Sequence, residues 1–405
     1  MTEIINGGVC AAKGFKANGI HCGIRHNRTK RDLALIVSEV EATAAAVYTQ
    51  NAVKGAPLIV TKKHLVNGKA QAIICNSGNA NTCNANGIEI AEGMAALVEK
   101  TTGICADNVI VASTGVIGQT LDLTPICNGM DTLAAGLCPE NAHFAAEAIM
   151  TTDTMAKEIA VSFTLGGKQC RMGGIAKGSG MIHPNMATML VFITTDAAIS
   201  APMLQKALSG DVQNTFNMLS IDGDTSTNDT VAILANGMAG NPEITEDGED
   251  FAAFMHALNT ITVNLCRMIV GDGEGATKLL ECTATGADTL EAAKKSAKSV
   301  ICSSLLKAAM FGADANWGRV LCAIGYSGAD VDISKIGVQF RSAAGTIEVC
   351  RDGSGVPFSE EQAKKILLEK EIEILLALGD GPFCATAWGC DLTYDYVKIN
   401  GDYRT

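Results

Sequence analysis

Apolar and polar positions alternate along this chain in short bursts, most of them closed off by Gly or Asn. Leu33–Ser38 (LALIVS), Gln71–Cys75 (QAIIC), Asn108–Ala112 (NVIVA), Met189–Ile193 (MLVFI) and Thr230–Leu234 (TVAIL) are brief, β-branched and apolar. Such runs read as buried strands. Helical spacing lies between them. Ile88–Lys100 (IEIAEGMAALVEK) repeats its apolar residues every three to four positions. Thr289–Leu306 reads as one longer helix, capped by Asp288 or Thr289, with Glu291 in its first turn. Ser359 followed by Gln362 predicts a capping box that opens a helix through Leu368. The segment EIEILLAL after it alternates and then turns fully apolar, as a strand entering a core does.

Hairpin-like and helix-linked strands are mixed, so the pattern predicts an α+β fold rather than a regular βαβ series. No internal repeat and no low-complexity linker interrupts it. The expected boundary of a structural sub-domain lies near residue 285, in Ala284–Asp288 (ATGAD).

Composition narrows the function classes. Of 405 residues, 47% are hydrophobic and 18% charged, enough to fill a large core, while aromatics are only 4%. The formal net charge of −12 disfavours nucleic-acid binding, which needs clustered Lys and Arg. RHNRTKR (Arg25–Arg31) is the local exception and reads as a solvated loop. Fifteen cysteines are an odd count in a long chain. Cys105, Cys170, Cys266, Cys302, Cys322 and Cys350 sit in apolar runs and are expected to act as small hydrophobes in a reducing compartment. No C-x-x-C is present and the six His are scattered, so no zinc spacing arises. The start MTEIINGGVC lacks the features of a signal peptide, and no run reaches the ~18 apolar residues of a membrane span. A cytoplasmic protein is the expectation.

Several familiar site patterns fail on spacing. Ser179 stands in G-S-G, which is not the G-x-S-x-G elbow. DGDTSTND (Asp222–Asp229) begins like a calcium loop but lacks Gly at the sixth position and Glu at the twelfth. It reads as a self-bonded turn between strands. GDGEGATK (Gly271–Lys278) is placed to open a helix and hold an anion there, and so carries a nucleotide-binding alternative, although it matches no full phosphate motif.

Thr188 is the sharper candidate. It sits between Ala187 and Met189 at the mouth of an apolar strand, after a loop containing Gly178, Gly180 and Pro184. The glycines permit unusual backbone angles and the proline stiffens the approach, so the Ala187–Thr188 peptide is a candidate for strain and cleavage. A cut there would place a free amine, with a pKa of about 7.7–8.0, beside a Thr hydroxyl. Nucleophile and base would arise together. Ser113-Thr114-Gly115 ends a buried strand, and its turn is a source of N–H donors for an oxyanion. Asn76–Gly87 (NSGNANTCNANG) is a similar strand-end loop, read as left-handed turns. His183, close to the cut, reads as a packed loop histidine.

KGSGMIHPNMATML, ASTGVIG, CNSGNANTC, SIDGDTSTNDT, GDGEGATK, FGADANWGR and the ending WGCDLTYDYVKINGDYRT together resemble the ornithine acetyltransferases of arginine biosynthesis. The resemblance implies an αββα layered sandwich with a smaller C-terminal α/β portion. It implies self-cleavage between Ala187 and Thr188, giving an α chain of residues 1–187 and a β chain of 188–405, usually assembled as α2β2. Thr114 and Gly115 match the oxyanion positions. Thr151, Lys177, Thr188, Glu274, Asn400 and Thr405 match the substrate-binding positions; TTDT also offers hydroxyls at Thr152 and Thr154. The implied reaction is ping-pong transfer of acetyl from N2-acetyl-L-ornithine to L-glutamate through an ester on Thr188. Residue chemistry assigns Lys177 to a substrate carboxylate and Glu274 to a substrate cation. No cofactor is implied, although some members of the family use acetyl-CoA as a second donor, and no residue here decides that. The nearest alternative is an amidohydrolase or aminopeptidase that uses the same N-terminal Thr with water as acceptor.

Overall fold

The computed structural model describes residues 2–25, 27, 29–183 and 189–402. Two sheets organise them. The first is built from β1 (Glu3–Ile5), β2 (Phe15–Ile20), β3 (Leu33–Tyr48), β4 (Lys69–Asn76), β5 (Val109–Ser113), β6 (Lys157–Leu165), β7 (Lys168–Lys177), β8 (Leu190–Thr195) and β10 (Thr230–Ala235). Its order is β1-β6-β7-β8-β10-β3-β4-β5, with β2 paired to β3. The second contains β9 (Leu219–Ser220), β11 (Leu279–Ala287), β12 (Gly337–Ser342), β13 (Gly345–Arg351), β14 (Ser354–Gly355), β15 (Glu371–Ala377) and β16 (Phe383–Cys390), in the order β14-β13-β12-β15-β11-β16-β9. Each of the six strands expected from the sequence is present.

Side-chain alternation assigns the faces of the first sheet. Val191, Ile193, Val231 and Ile233 join the largest core, together with α5 (Ala201–Val212) and α6 (Glu249–Gly271). Their neighbours Leu190, Phe192, Ala232 and Leu234 point the other way, into a small Ala-rich core with α4 (Ala142–Ala148). The β3–β4–β5 end is covered by α1 (Ala56–His64), α2 (Gly87–Thr102) and α3 (Thr124–Ala135). The second sheet shares the largest core through Leu280, Ile374 and Trp388. It packs against α7 (Leu290–Cys302), α9 (Trp317–Gly325) and α10 (Glu360–Leu367). The class is α+β, as the sequence predicts. Only α6, among the described helices, is long and apolar enough to cross a bilayer by length and composition, and its apolar side lies on β6 and β7.

Some local expectations change. The single helix over Thr289–Leu306 is two: α7, capped by Thr289, and α8 (Ser304–Phe311). Ser303 breaks the run because it leaves helical angles and its hydroxyl accepts the Leu306 N–H. Residues 284–287, near the expected boundary, lie inside β11. Gly271–Lys278 opens no helix; it follows the end of α6 and runs into β11, so no helix N-terminus stands ready for an anion. All fifteen cysteines are free, but Cys105 and Cys322 are exposed and Cys302 is only partly buried, while Cys170, Cys266 and Cys350 are buried as expected. The basic run is not simply solvated. Arg25 donates to the Ser77 and Met150 carbonyls, and Arg31 pairs with Glu147 and lies over the Phe144 ring. His26 and Arg28 lie outside the described residues.

Candidate active site

Strand ends and the turns after them build one pocket of about 130 Å³. Thr114 and Gly115 follow β5, Thr151 and Thr152 follow α4, and Lys177 ends β7. Glu274 comes from the turn after α6 and Asn400 from α11 (Tyr394–Gly401). Met189, the first described residue after position 188, lines the same pocket. Six of the sequence-derived candidates, Thr114, Gly115, Thr151, Lys177, Glu274 and Asn400, therefore converge. Ala187, Thr188 and Thr405 lie outside the described residues.

The two donors are differently committed. Thr114 N–H donates to the Asn76 carbonyl at 2.9 Å, which leaves the hydroxyl as its available donor. Among the described residues the Gly115 N–H has no partner. Gly115 has φ +128°, and a Cβ built on it would stand 2.7 Å from the Gly78 carbonyl carbon, so the backbones after β4 and β5 meet there only because the residue is glycine. The loop after β4 bonds largely to itself: Asn76 Oδ1 accepts from the N–H groups of Gly78 and Asn79. Asn81 adopts the left-handed angles expected of the loop, but so does Cys83, while Gly78 and Gly87 do not.

Charge at the pocket is separated. Lys177 is 9% exposed, and its ammonium makes no hydrogen bond among the described residues. Glu274, equally buried, accepts from Asn400 Nδ2 at 2.7 Å. Gly180 leaves room for this carboxylate; a Cβ there would stand 2.4 Å from Glu274 Cδ. Behind Lys177, Asp153 is held low, at about 2. Burial alone would raise it, but the Lys157 and Lys177 ammonium groups and main-chain donors outweigh that.

The loop before position 188 is constrained differently from expectation. Neither Gly178 nor Gly180 takes a positive φ; Met181 does, at 55°. The glycines supply space rather than unusual angles, since a Cβ on Gly178 would meet Ile182 at 2.9 Å. Asp222 holds the left-handed turn by accepting from Met181 N–H at 2.6 Å and Ile182 N–H at 2.9 Å. His183 is packed as predicted. Its Nδ1 lies 3.0 Å from Ser220 Oγ. Burial, helped by the Lys298 charge, lowers its pKa to about 4, against an opposing pull from Asp222.

Asp222–Asp229 is a turn between β9 and β10, and it also does more than bond to itself. Asn228, 4% exposed, donates through Nδ2 to the carbonyls of Ala80 at 2.5 Å and Ser113 at 2.9 Å. Its Oδ1 accepts from Thr82 and Thr227 hydroxyls. One amide thus ties the loops after β4 and β5 to the turn that precedes β10. Asp229 is buried, its Oδ2 has no hydrogen-bond partner among the described residues, and burial raises its carboxyl well above the ordinary range against the opposing pull of Ser226, Lys177 and Thr49. Reading the sequence offered Thr152 only as a neighbour of Thr151 and did not single out Asn228, Asp229 or Lys157 as site residues. The available signal was the density of Asn, Asp, Ser and Thr in TTDT and DTSTND.

The chain matches the model of the ArgJ family over residues 16–405. It is 50% identical over 404 residues, covering 100% of both chains, to a protein of Caldanaerobacter subterraneus subsp. tengcongensis described as arginine biosynthesis bifunctional protein ArgJ. A protein of Symbiobacterium thermophilum with the same description is 49% identical over 405 residues, again with full coverage of both. The crystal structure of the Bacillus halodurans arginine biosynthesis bifunctional protein ArgJ is similar at TM-score 0.50 and 44% identity, covering 53% of this chain and 98% of that one.

Proposed function

Since this chain belongs to the ArgJ family, acetyltransferases of arginine biosynthesis, we propose that it carries acetyl from N2-acetyl-L-ornithine to L-glutamate through an ester on Thr188. One observation supports this above the others: Thr114, Gly115, Lys177 and Glu274 line a pocket that Met189 also lines. Position 188 is therefore covalently joined to a residue of that pocket's lining.

In this reading the backbone is cut between Ala187 and Thr188, and the freed amine acts as base for its own hydroxyl. Thr188 Oγ attacks the acetyl carbonyl. The Thr114 hydroxyl and Gly115 N–H donate to the oxyanion as charge builds on oxygen. The C–N bond breaks, and the departing ornithine amine takes the proton that the base removed. Glutamate then enters, its amine attacks the ester carbonyl, and Thr188 Oγ leaves with a proton. An amide is exchanged for an amide, so catalysis depends on positioning and on keeping water from the ester. Lys177 receives a substrate carboxylate and Glu274 the ornithine ammonium. Thr151, Asn400 and Thr405 complete the binding set, and the two pieces assemble as α2β2. The Bacillus halodurans match is consistent with a cut relative, because nearly all of that chain corresponds to about half of this one, the share expected for a piece from 188 to 405.

The test joins processing to activity. Purified enzyme should give two polypeptides on a denaturing gel, one with the N-terminal sequence Thr-Met-Leu. Thr188→Ala should remain single and inactive. Glutamate-dependent ornithine release is the expected readout, with acetyl-CoA offered in parallel as second donor. Free acetate formed without glutamate would point to hydrolysis instead.

A further inference from the structure

Lys157 is fully buried at the start of β6, outside the pocket wall, and is flanked by two carboxylates. Its Nζ lies 2.6 Å from Asp153 Oδ1 and 2.6 Å from Asp272 Oδ2; the three side chains are 0%, 0% and 5% exposed. We infer that Lys157 is a positioning residue for acetyl transfer, holding together the three segments that present Thr151, Lys177 and Glu274. This rests on the reading of the pocket as the transfer site.

The connections are specific. Asp153 Oδ1 also accepts from Gly178 N–H at 2.8 Å, one residue beyond Lys177, and its Oδ2 accepts from Thr151 N–H at 2.9 Å. Asp272 accepts from Thr154 N–H at 3.1 Å and from the Thr154 hydroxyl, two residues before Glu274. The loop 151–154, the end of β7 and the turn after α6 are thus hung on one ammonium. Ser179 adds a second set of ties, to Thr152 Oγ1 at 2.6 Å and from its carbonyl to Glu274 N–H at 2.8 Å. A buried ion cluster is a poor source of net stability, because desolvation offsets its Coulomb attraction. Its value here is geometric: two carboxylates are fixed in orientation, Asp153 spending its other lone pairs on the main chain at Thr151 and Gly178, and Asp272 on Thr154, two residues past Thr152. Two carboxylates against one ammonium also leave a negative charge, and Asp153 directs it toward Lys177.

The experiment uses the full chain purified after processing and compares two donors. Acetylornithine engages the carboxylate and ammonium sites; p-nitrophenyl acetate has neither group. Lys157→Met is expected to raise KM for acetylornithine by roughly 10–100-fold, as misplacement of a binding group does, while kcat/KM for p-nitrophenyl acetate changes by less than about twofold. Equal losses with both donors, or no change with either, would overturn the inference. Should Lys157→Met fail to fold, Asp272→Asn removes one charge and loosens the Glu274 side. It is expected to erase the preference for acetylornithine over N-acetylnorvaline, which lacks the ammonium; an unchanged preference overturns the inference. Glu274→Gln, measured alongside, tests the pocket reading itself. If it leaves KM for acetylornithine unchanged, that reading fails irrespective of Lys157.

Discussion

Asn400 Nδ2 donates to Glu274 Oε2 at 2.7 Å, joining the last helix of the chain to a carboxylate that follows α6, 126 residues earlier. The same amide nitrogen also lies 3.1 Å from the Tyr396 carbonyl. Glu274 is therefore oriented by a residue on an exposed helix while remaining buried itself. Asn400→Ala should leave it aimed less well at a substrate cation. Hydrogen bonds to charged groups contribute about 1.5–3 kcal/mol, and exposure of Asn400 favours the low end, so KM for acetylornithine is expected to rise about tenfold with kcat nearly unchanged. Steady-state kinetics across donor concentration measures this; a fall in kcat with constant KM would contradict the orientation role.

The two proposed oxyanion donors, Thr114 and Gly115, should separate in mutagenesis. Thr114→Ala removes a hydroxyl while leaving the Thr114 N–H on Asn76 O, so the fold is expected to persist and kcat to fall by roughly 10²–10³. Gly115→Ala confronts φ +128° and a Cβ 2.7 Å from Gly78, a steric cost on top of about 1–3 kcal/mol of backbone strain. Thermal unfolding should show a lower Tm for Gly115→Ala and little change for Thr114→Ala.

Asn228→Ala is expected to destabilise by about 2–5 kcal/mol, because it leaves the Ser113 carbonyl without its buried donor and strips the Ala80 carbonyl and the Thr82 hydroxyl of their shorter bonds, leaving the one between them at 3.3 Å. Denaturant titration measures the loss. A change under about 0.5 kcal/mol would mean that water replaces the amide at no cost.

Asp229→Asn should behave in the opposite way. The folded protein raises the Asp229 carboxyl well above its usual range through burial, so between that usual range and its folded value the native state binds the proton and the unfolded state does not. Wild-type stability then decreases as pH rises through this window. Asparagine cannot ionise and should remove the decrease, giving a variant equal to wild type near pH 4 and more stable near pH 7. Urea unfolding at the two pH values tests the sign; a variant destabilised more at the higher pH would refute it.

The strands were legible because short, β-branched runs bounded by Gly and Asn have few other conformations, and β4, β5, β8 and β10 all appear where such runs occur. Ser359 capping Gln362 N–H was legible for the same local reason. The break at Ser303 was not, since continuing the helix and capping a new one satisfy nearly the same pattern. The loop at 178–181 shows the limit more clearly. Glycine suggested backbone freedom, yet Gly178 and Gly180 are there for the space that Ile182 and Glu274 need, and for Gly180 that need becomes visible only when residues 94 positions apart are brought together. Lys157 was hidden similarly: nothing near it in sequence announces that Asp272 will be its partner. The gathering of Thr114, Lys177, Glu274 and Asn400 followed from the motif resemblance, and the pocket supplies the distances that local pattern lacks.

The strand order of the first sheet bears on what a severed backbone would do. β8 is clasped between β7, antiparallel, and β10, parallel, and β10 is in turn laced to β3. Strands from before and after position 188 are thus shuffled together like cards, with six rungs joining β8 to β7 and six joining it to β10. Opening the chain between 187 and 188 would free a terminus without freeing a fragment, because each piece would hold the other's exposed edge. A nicked molecule of this design should melt as one cooperative body.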